Sequence, residues 1–555
     1  MPVTTVFGPP GTGKTTYLAR QIERAVEKFG PDRVIVCSLT TTAATEIISR
    51  GLSVTPAHVG TLHAICYRSL GRPKLFDTTV QAFNDEMGFK LSPNGDTNID
   101  SRAARVLSDD LECFLARTDS DDAVRSAIDL WRMKLLPVDA MPVGYVRLWN
   151  AMEAWKSSHN VIDFTDMILL ALERFQEHPA RPRVIVYDEA QDGSAAELAL
   201  IKQWSTNTDH SIIAGDDDQC IFGFRGSDVN AFLSMSDAEH QKVLDTTHRL
   251  PHKIYSYAER WVHQIGVRKE KSYRPRDDAE DGEIIILPMD PTHLPILKRV
   301  SMLPPGETMM ILATCGYLLQ PIIRELRKRF YPYANPFREN RGDWNPLARG
   351  KRVVKAVDRV IAYAQSCPEL VDDPRPQTWK SFHAWTEHFE ASKIESGAKA
   401  FISKKYKEIP DAVVSIPEIG SLLGPAVTTD FLSGNFSPLL NCTLKTGLRS
   451  LDYPVRVAMR HGMKALLEPP RVFVGTVHSC KGAEADEVIL LPDLSRQAAE
   501  AYRSAGSEGR DAVLRVFYVG VTRAKKRLVL CLGGSSPDKV QWIRPAPEGV
   551  PEAPF

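Results

Sequence analysis

A glycine-rich stretch near the start of the chain combines residue types that bind phosphate. Residues 8–15 read GPPGTGKT and fit the pattern GxxxxGK[ST] in full. They follow a β-prone run at residues 4–7 and open a helical pattern. Glycines let backbone N–H groups face phosphate oxygens, a helix N-terminus favours an anion, and Lys14 adds a positive charge. The predicted nucleotide contacts are Gly8, Pro9, Pro10, Gly11, Thr12, Gly13, Lys14, Thr15 and Thr16, with Thr15 also a Mg²⁺ ligand.

Two acidic motifs follow strand-like apolar runs further along the chain. Asp188 and Glu189 open the motif DEAQD after residues 184–187, and GDDDQ follows residues 211–214. An aspartate at a strand end can hold Mg²⁺, and the adjacent glutamate can orient or deprotonate an attacking water. Gln219 ends the second motif, and its amide can sense a γ-phosphate. Three consecutive carboxylates, as in the middle of GDDDQ, ordinarily form a solvated loop.

Aromatic residues and a cation come directly after the second acidic motif. Phe222, Phe224 and Arg225 have the spacing of a hydrophobic core segment, which is the commoner role for such residues. They also have the composition of a platform on which the bases of a single strand stack, at about 1–3 kcal/mol per base.

The order of these motifs resembles that of a known family. DEAQD, GDDDQCIFGFRG and GTVHSCKGAEADEV, in this order behind the phosphate loop, resemble the motifs of UvrD/Rep-type superfamily 1A DNA helicases. Shorter segments at residues 38–47, 60–63, 163–167, 244–249 and 517–524 also resemble family motifs. The resemblance implies two RecA-like lobes that close over ATP and Mg²⁺.

The resemblance also implies roles for residues that carry no chemistry by themselves. Arg249 and Arg523 would act as arginine fingers on the γ-phosphate and, with Lys14, Asp188, Glu189 and Gln219, complete the catalytic set. His248 replaces the family's adenine-stacking tyrosine, and Glu484 matches a residue close to the ribose. The resemblance places Gly482 with them among the nucleotide contacts. His478 and Lys481 would relate the nucleotide to the bound strand.

For the strand itself, the expected contacts combine the aromatic segment with matches to other family motifs: Thr61, His63, Phe222, Phe224, Arg225 and His478. Phe222 and Phe224 stand where the family usually has tyrosine and tryptophan, so stacking is kept while two hydrogen-bonding groups are lost. Leu39 replaces a phenylalanine and Thr42 a lysine. We therefore expect a weaker grip on the strand by the first lobe.

Short apolar runs alternate with helical patterns in two parts of the chain, which predicts an α/β fold with two parallel sheets. The expected first lobe comprises residues 1–65 and 161–245, and the second comprises 246–337 and 471–535. We expect residues 66–160 and 338–470 to form largely helical insertions in the first and second lobe, and residues 536–555 to form a Pro-rich tail.

Composition limits the class of protein. Apolar residues make up 43% and charged residues 25%, as in ordinary globular proteins. The net charge of zero hides an asymmetry, since residues 1–240 carry 23 basic and 33 acidic residues and the remainder 46 and 36. The nine cysteines form no CxxC pair, and neither a signal peptide nor a membrane-spanning run is evident. We expect a cytoplasmic protein without membrane contact.

The function that the resemblance implies is an ATP-dependent translocase on single-stranded DNA that unwinds duplexes from single-strand/duplex junctions, in the 3′ to 5′ direction. Two alternatives stay open: a translocase that displaces proteins with little unwinding, and the motor subunit of a repair or nuclease complex. Repair or replication proteins are the expected partners, and the nucleotide is the only expected small-molecule substrate. RNA stays open as the strand, because we identify no reader of the 2′-hydroxyl.

A transporter-type ATPase does not fit the sequence, because no LSGGQ-like segment precedes the acidic pair. The phosphate loop begins at Gly8, which leaves no room for the glutamine segment by which the family reads adenine. We therefore expect relaxed selectivity among nucleotide bases.

Overall fold

The computed structural model describes residues 3–38, 54–92, 120–290, 292–335, 344–350, 353–504, 506, 508–534 and 536–544. The strands of these residues, in chain order, are β1 (Val3–Phe7), β2 (Val34–Ser38), β3 (Val59–Thr61), β4 (Lys74–Leu75), β5 (Val161–Ile162), β6 (Val184–Asp188), β7 (His210–Gly215), β8 (Gln241–Val243), β9 (Thr246–Thr247), β10 (Arg274–Pro275), β11 (Glu283–Leu287), β12 (Met309–Ala313), β13 (Val472–Thr476), β14 (Ala485–Leu490) and β15 (Ala524–Cys531).

The first lobe is built on a six-stranded parallel sheet in the order β3-β2-β6-β7-β1-β8. Strands β2 and β6 are buried along their whole length and are largely apolar before their last residues, Ser38 and Asp188, as expected for a parallel sheet covered on both faces. Strands β6, β7 and β1 are neighbours, so the three motifs that follow them meet at one edge of the sheet. This edge, at the carboxyl ends of the strands, is where open α/β sheets bind ligands.

Helices cover both faces of this sheet, because successive residues of a strand point to opposite sides. Ile35 and Ile185 belong to one core cluster, while Val34 and Val184 belong to the other. The helices of this lobe are Lys14–Phe29, Leu62–Ser69, Phe164–Arg174, Ala195–Ser205 and Val229–Leu233.

The first insertion is helical, as predicted, and its described helices are Val80–Met87, Asp121–Met133 and Val143–His159. Its own core contains Phe76, Phe83 and Trp155. The helix Leu62–Ser69 crosses the expected boundary at residue 66 and packs in the core of the first lobe. The insertion therefore begins about ten residues later than expected, near the short ribbon formed by β4 and β5.

Buried ion pairs hold this insertion against the first lobe. Asp163 caps the helix Phe164–Arg174 and forms a capping box with Asp166. The Asp163 carboxylate also accepts from Arg132 at 3.0 Å and from Lys156 at 2.7 Å, and both cations lie on insertion helices. The motif at residues 163–167, DFTDM, thus joins the insertion to the lobe.

The second lobe contains a five-stranded parallel sheet in the order β11-β15-β14-β12-β13. Its helices in the described residues are His252–Val262, Leu294–Ser301, Gly316–Lys328, Arg496–Arg503 and Glu508–Val521. Strands β9 and β10 form a separate parallel ribbon beside the first lobe. The prediction of two α/β lobes is confirmed.

The second insertion is largely helical, as expected. Its described helices are Ala356–Ala364, Trp379–Thr386, Ala398–Glu408, Ile416–Leu423, Pro425–Leu432, Ser437–Asn441, Lys445–His461 and Lys464–Leu467. An aromatic core holds them together: the Trp385 ring lies 5.0 Å from that of Tyr363 and 5.3 Å from that of Phe431.

Residues 536–544, expected to belong to a Pro-rich tail, pack on the second lobe. Trp542 packs 5.5 Å from the ring of Trp261 and 5.3 Å from that of Phe517, and its indole N–H donates to the Cys531 carbonyl at 2.7 Å. Residues 536–544 are therefore part of the second lobe, because the tryptophan gains both a hydrophobic contact and a hydrogen bond. Among the described helices, none combines the length and apolar character needed to cross a membrane.

Candidate active site between the lobes

The phosphate loop is folded tightly against the sheet edge. Gly8 donates its N–H to the Gly215 carbonyl at 2.9 Å, and the Thr12 hydroxyl donates to the Pro9 carbonyl at 2.8 Å. Gly11 and Gly13 both have φ near +75°, a conformation that favours glycine. A side chain at Gly8 would lie 2.9 Å from the Lys14 Cβ. The glycines are therefore required by the shape of the loop.

Lys14 contacts both residues of the acidic pair at the end of β6. Its Nζ lies 3.0 Å from Asp188 Oδ1 and 2.5 Å from Glu189 Oε1. Burial alone would lower the pKa of Lys14, but the two carboxylates outweigh it and raise the pKa. Burial alone would raise the pKa of Glu189, but Lys14 and then Lys481 lower it to about 2. Both side chains are charged at neutral pH.

Glu189 adopts a strained backbone and is held in place by a neighbour. Its φ is +55°, a left-handed value that is costly for a residue other than glycine. The Gln191 amide donates to Glu189 Oε2 at 2.6 Å, and its oxygen accepts from the Asp216 N–H at 3.0 Å. Gln191 therefore connects the two acidic motifs, a role that its place in DEAQD did not predict.

Gln219 is held from both lobes. Its amide nitrogen donates to Asp216 Oδ2 at 2.7 Å, and its amide oxygen accepts from Arg523 at 2.9 Å. Lys481 donates to the Gln219 carbonyl at 2.7 Å and also to the Asp192 carboxylate. Arg523 is 2% exposed, and burial together with the nearby Arg249 lowers its pKa. The residues predicted as catalytic therefore lie together at the interface of the lobes.

The segment around Arg249 docks on the phosphate loop. The Thr247 hydroxyl donates to the Pro10 carbonyl at 2.6 Å, and the His248 N–H donates to the Gly11 carbonyl at 2.9 Å. Arg249 donates to Glu484 at 2.7 Å, so the predicted ribose residue contacts the predicted arginine finger. The His248 side chain is exposed beside the loop. Gly482, two residues before Glu484 in the chain, has φ +85°.

These residues fit a nucleoside triphosphate and Mg²⁺. The loop has the positive-φ glycines and adjacent lysine of a phosphate cradle. The Asp188 carboxylate and the Thr15 hydroxyl, at the start of the helix Lys14–Phe29, are hard oxygen donors of the kind that Mg²⁺ prefers.

The predicted aromatic platform bridges the lobes. The Phe222 and Phe224 rings lie 5.9 Å apart, and the His478 ring lies 5.5 Å from Phe224. The Lys481 Nζ lies 5.2 Å from the centre of the Phe222 ring. Phe222 is only 4% exposed and belongs to the core of the second lobe, whereas Phe224 and Arg225 are half-buried. Phe222 thus has the core role considered for this segment, and the stacking of bases on Phe224 stays a prediction.

Thr61 and His63 are buried. Thr61 caps the helix Leu62–Ser69 by accepting from the Ala64 N–H at 3.2 Å. The His63 ring stacks on Phe164 at 4.7 Å, and its Nδ1 lies 3.6 Å from Glu197. Their contact with a nucleic-acid strand stays a prediction. Leu39 and Thr42, expected to weaken the grip on the strand, lie outside the described residues.

The three consecutive aspartates do not form the solvated loop that such a run ordinarily forms. Asp216, Asp217 and Asp218 are all buried. Lys271 lies within 2.8 Å of all three carboxylates, and Arg268 donates twice to Asp218. Burial is possible because the second lobe supplies these cations. The charge-rich segment at residues 268–271 was the sequence signal for this contact.

Fold and site together define a P-loop protein in which two parallel α/β lobes meet at the phosphate-binding loop. A sequence model of the UvrD/REP helicase N-terminal domain matches residues 2–240, and one of the UvrD-like helicase C-terminal domain matches residues 457–533. The two matches together cover more than half of the 555 residues. The chain belongs to the UvrD/Rep-type helicase family.

Curated relatives have related names. The chain is 25% identical over 311 residues to the putative ATP-dependent DNA helicase YjcD of Bacillus subtilis, which covers 51% of this chain and 40% of the relative. It is 25% identical over 251 residues to the ATP-dependent DNA helicase Rep of Buchnera aphidicola, covering 41% and 36%. A probable DNA helicase of Mycoplasma pneumoniae is 27% identical over 270 residues, covering 44% and 50%. The chain thus spans half or less of the length of these relatives.

Proposed function

We propose that the protein hydrolyses ATP between its lobes and uses the cycle to move along single-stranded DNA and to unwind duplexes in the 3′ to 5′ direction. The observation that carries this proposal is the contact of Gln219 with Arg523 at 2.9 Å. It joins a candidate γ-phosphate sensor of the first lobe to a candidate arginine finger of the second. A nucleotide at this junction would contact both lobes.

Each charged side chain has a role in this proposal. Lys14 binds the β- and γ-phosphates, and Glu189, ionised and oriented by Gln191, accepts a proton from the attacking water. The water oxygen forms a bond to the γ-phosphorus as the bond to the β,γ-bridging oxygen breaks, which releases ADP and phosphate. Arg249 and Arg523 stabilise the charge that develops on the transferred group.

Mg²⁺, held by Thr15 and Asp188, would neutralise charge on the phosphate oxygens. The charged side chains of Lys14 and Asp188 are largely shielded from water, because both are mostly or fully buried. Electrostatic interactions are stronger in such a site than in water.

Coupling to a strand runs through the aromatic residues at the interface. Phe224 and His478 come from different lobes and lie 5.5 Å apart, and Lys481 connects the same region to Gln219. Opening and closing of the lobes would move these contacts in step with the nucleotide cycle. The nucleotide state and the grip on the strand would therefore change together.

The first test is ATP turnover with and without single-stranded DNA. We expect Lys14→Ala to abolish strand-stimulated turnover, because it removes the charge that faces the phosphates. Lys28→Ala, at an exposed position near the end of the same helix, is the matched control and should turn over ATP normally. Near-normal turnover by purified Lys14→Ala would refute the phosphate site.

A second candidate function is translocation that displaces proteins with little unwinding. The replacement of the family's tyrosine and tryptophan by Phe222 and Phe224 favours it, because the stacking segment then lacks two hydrogen-bonding groups. Duplexes with 3′ or 5′ tails, made as DNA and as RNA, test unwinding and polarity. A streptavidin-blocked single strand tests displacement.

Unwinding of 3′-tailed DNA supports the first proposal, and unwinding only from 5′ tails contradicts the polarity. Displacement and ATP turnover without unwinding would favour the second candidate. Preference for RNA would contradict DNA as the strand.

A further inference from the structure

A lysine of the second lobe is buried among carboxylates of the first. Lys271 lies between the helix His252–Val262 and β10, and its side chain is 1% exposed. Its Nζ is 2.8 Å from Asp216 Oδ1, 2.6 Å from Asp217 Oδ1 and 2.7 Å from Asp218 Oδ2. The lysine therefore connects the second lobe directly to the GDDDQ motif.

Asp216 passes this contact on to Gln219. One oxygen of the Asp216 carboxylate accepts from Lys271, and the other accepts from the Gln219 amide nitrogen at 2.7 Å. The Gln219 amide oxygen then accepts from Arg523. Because the carboxylate only accepts and the guanidinium only donates, these two neighbours determine which end of the amide faces Arg523.

Other residues in the cluster have contacts that bypass Gln219. The second oxygen of Asp217 accepts from the Lys269 N–H at 2.7 Å, and Asp218 is held twice by Arg268. Arg515 donates to the Asp217 carbonyl at 2.9 Å. These bonds join the lobes, whereas the Asp216 carboxylate also orients the candidate γ-phosphate sensor.

We propose that Lys271 is a positioning residue of the nucleotide cycle, which orients the Gln219 amide through Asp216 and so makes the sensor respond to the second lobe. This inference rests on the proposed function. Displacement of Lys271 would release Asp216, allow the amide to rotate, and remove the acceptor that faces Arg523. The strand-stimulated step would then be lost while ATP still binds at Lys14.

Two substitutions of neighbouring aspartates provide the test. Asp216→Asn and Asp217→Asn each remove one negative charge from the same buried cluster, but only the first alters the contact with Gln219. In Asp216→Asn we expect strand-stimulated kcat to fall by about tenfold or more, with the KM for ATP changed by less than about threefold. Asp217→Asn should keep the strand-stimulated kcat of the wild type, although the melting temperature should change in both variants.

A second arm removes the lysine itself. Lys271→Met alone would leave three buried carboxylates without this cation and would destabilise the fold, so it is combined with Asp217→Asn, which keeps the net charge of the cluster. We expect this double variant to lose about tenfold in strand-stimulated kcat relative to Asp217→Asn. In the Asp217→Asn background, Lys271→Arg keeps the positive charge at this position and should therefore retain more of the strand-stimulated kcat than Lys271→Met.

The outcomes distinguish this inference from the proposed function. A wild-type protein without strand-stimulated ATP turnover would overturn the proposed function. A stimulated wild type, with Asp216→Asn and the double variant both as active as Asp217→Asn, would overturn the positioning role alone. A parallel loss of kcat in both aspartate variants would also overturn it, because Asp217 would then matter as much as Asp216.

Discussion

Gly11 lies where the two lobes touch, and replacing it with alanine perturbs that contact directly. An added Cβ would lie 2.4 Å from the Arg249 Cβ and 2.7 Å from the Thr247 hydroxyl oxygen. Gly11 also has φ +75°, which alanine adopts only with strain. Gly11→Ala should therefore push the Arg249 segment away from the phosphate loop.

The size of the effect follows from these distances. Ordinary contacts of a Cβ begin at 3.4 Å, so Arg249 must move by about 1 Å. The left-handed backbone costs about 1–2 kcal/mol and the overlap about 1–3 kcal/mol. A displacement of about 1 Å at a reacting centre can lower a rate about a hundredfold. We expect a decrease in kcat of that order.

Gly88→Ala is the matched control. Gly88 ends the helix Val80–Met87 with φ +73°, and a Cβ there would have no neighbour within 4 Å. It therefore carries the backbone strain without the overlap. Urea unfolding and strand-stimulated ATP turnover should be measured for both variants. If Gly11→Ala keeps a kcat within about threefold of Gly88→Ala, the contact between Arg249 and the loop is not needed for turnover.

Two further predictions concern pH and stability. Burial raises the pKa of Asp192 to about 6, against the opposing effect of Lys481. Strand-stimulated turnover should therefore fall as acidification protonates Asp192 and weakens its ion pair with Lys481. The variant Asp192→Asn should lack this step in its pH profile. Because the native state binds this proton more readily than the unfolded chain, the same acidification should raise the contribution of Asp192 to the free energy of unfolding. If protonation of Asp192 instead lowers the urea midpoint, the assignment is contradicted. Trp542→Ala should lower the free energy of unfolding by about 2–3 kcal/mol through lost packing on Trp261 and Phe517, with ATP turnover preserved at 25 °C. Trp542→Phe should lose less stability. An unchanged melting curve of Trp542→Ala would refute the docking of residues 536–544.

Much of the site could be predicted from local sequence. The phosphate loop, the acidic pair after β6 and Gln219 after β7 each join a short apolar run to a few polar residues. Parallel strands present such residues at one edge of the sheet, so their meeting follows from the fold class. The start of the first insertion and the end of the second lobe were harder to predict, because the helix Leu62–Ser69 and Trp542 pack by contacts distant in sequence.

Residue type and spacing by themselves determined that this chain carries a phosphate-binding loop, a pair of α/β lobes and the order of family motifs, because these depend on neighbours along the chain. Only the tertiary structure decided how the lobes join. Lys271 reaches Asp216 across 55 positions, and Arg523 reaches Gln219 across 304. The burial that makes these contacts strong exists only once both lobes are folded together, since the cations that neutralise the buried carboxylates come from the other lobe.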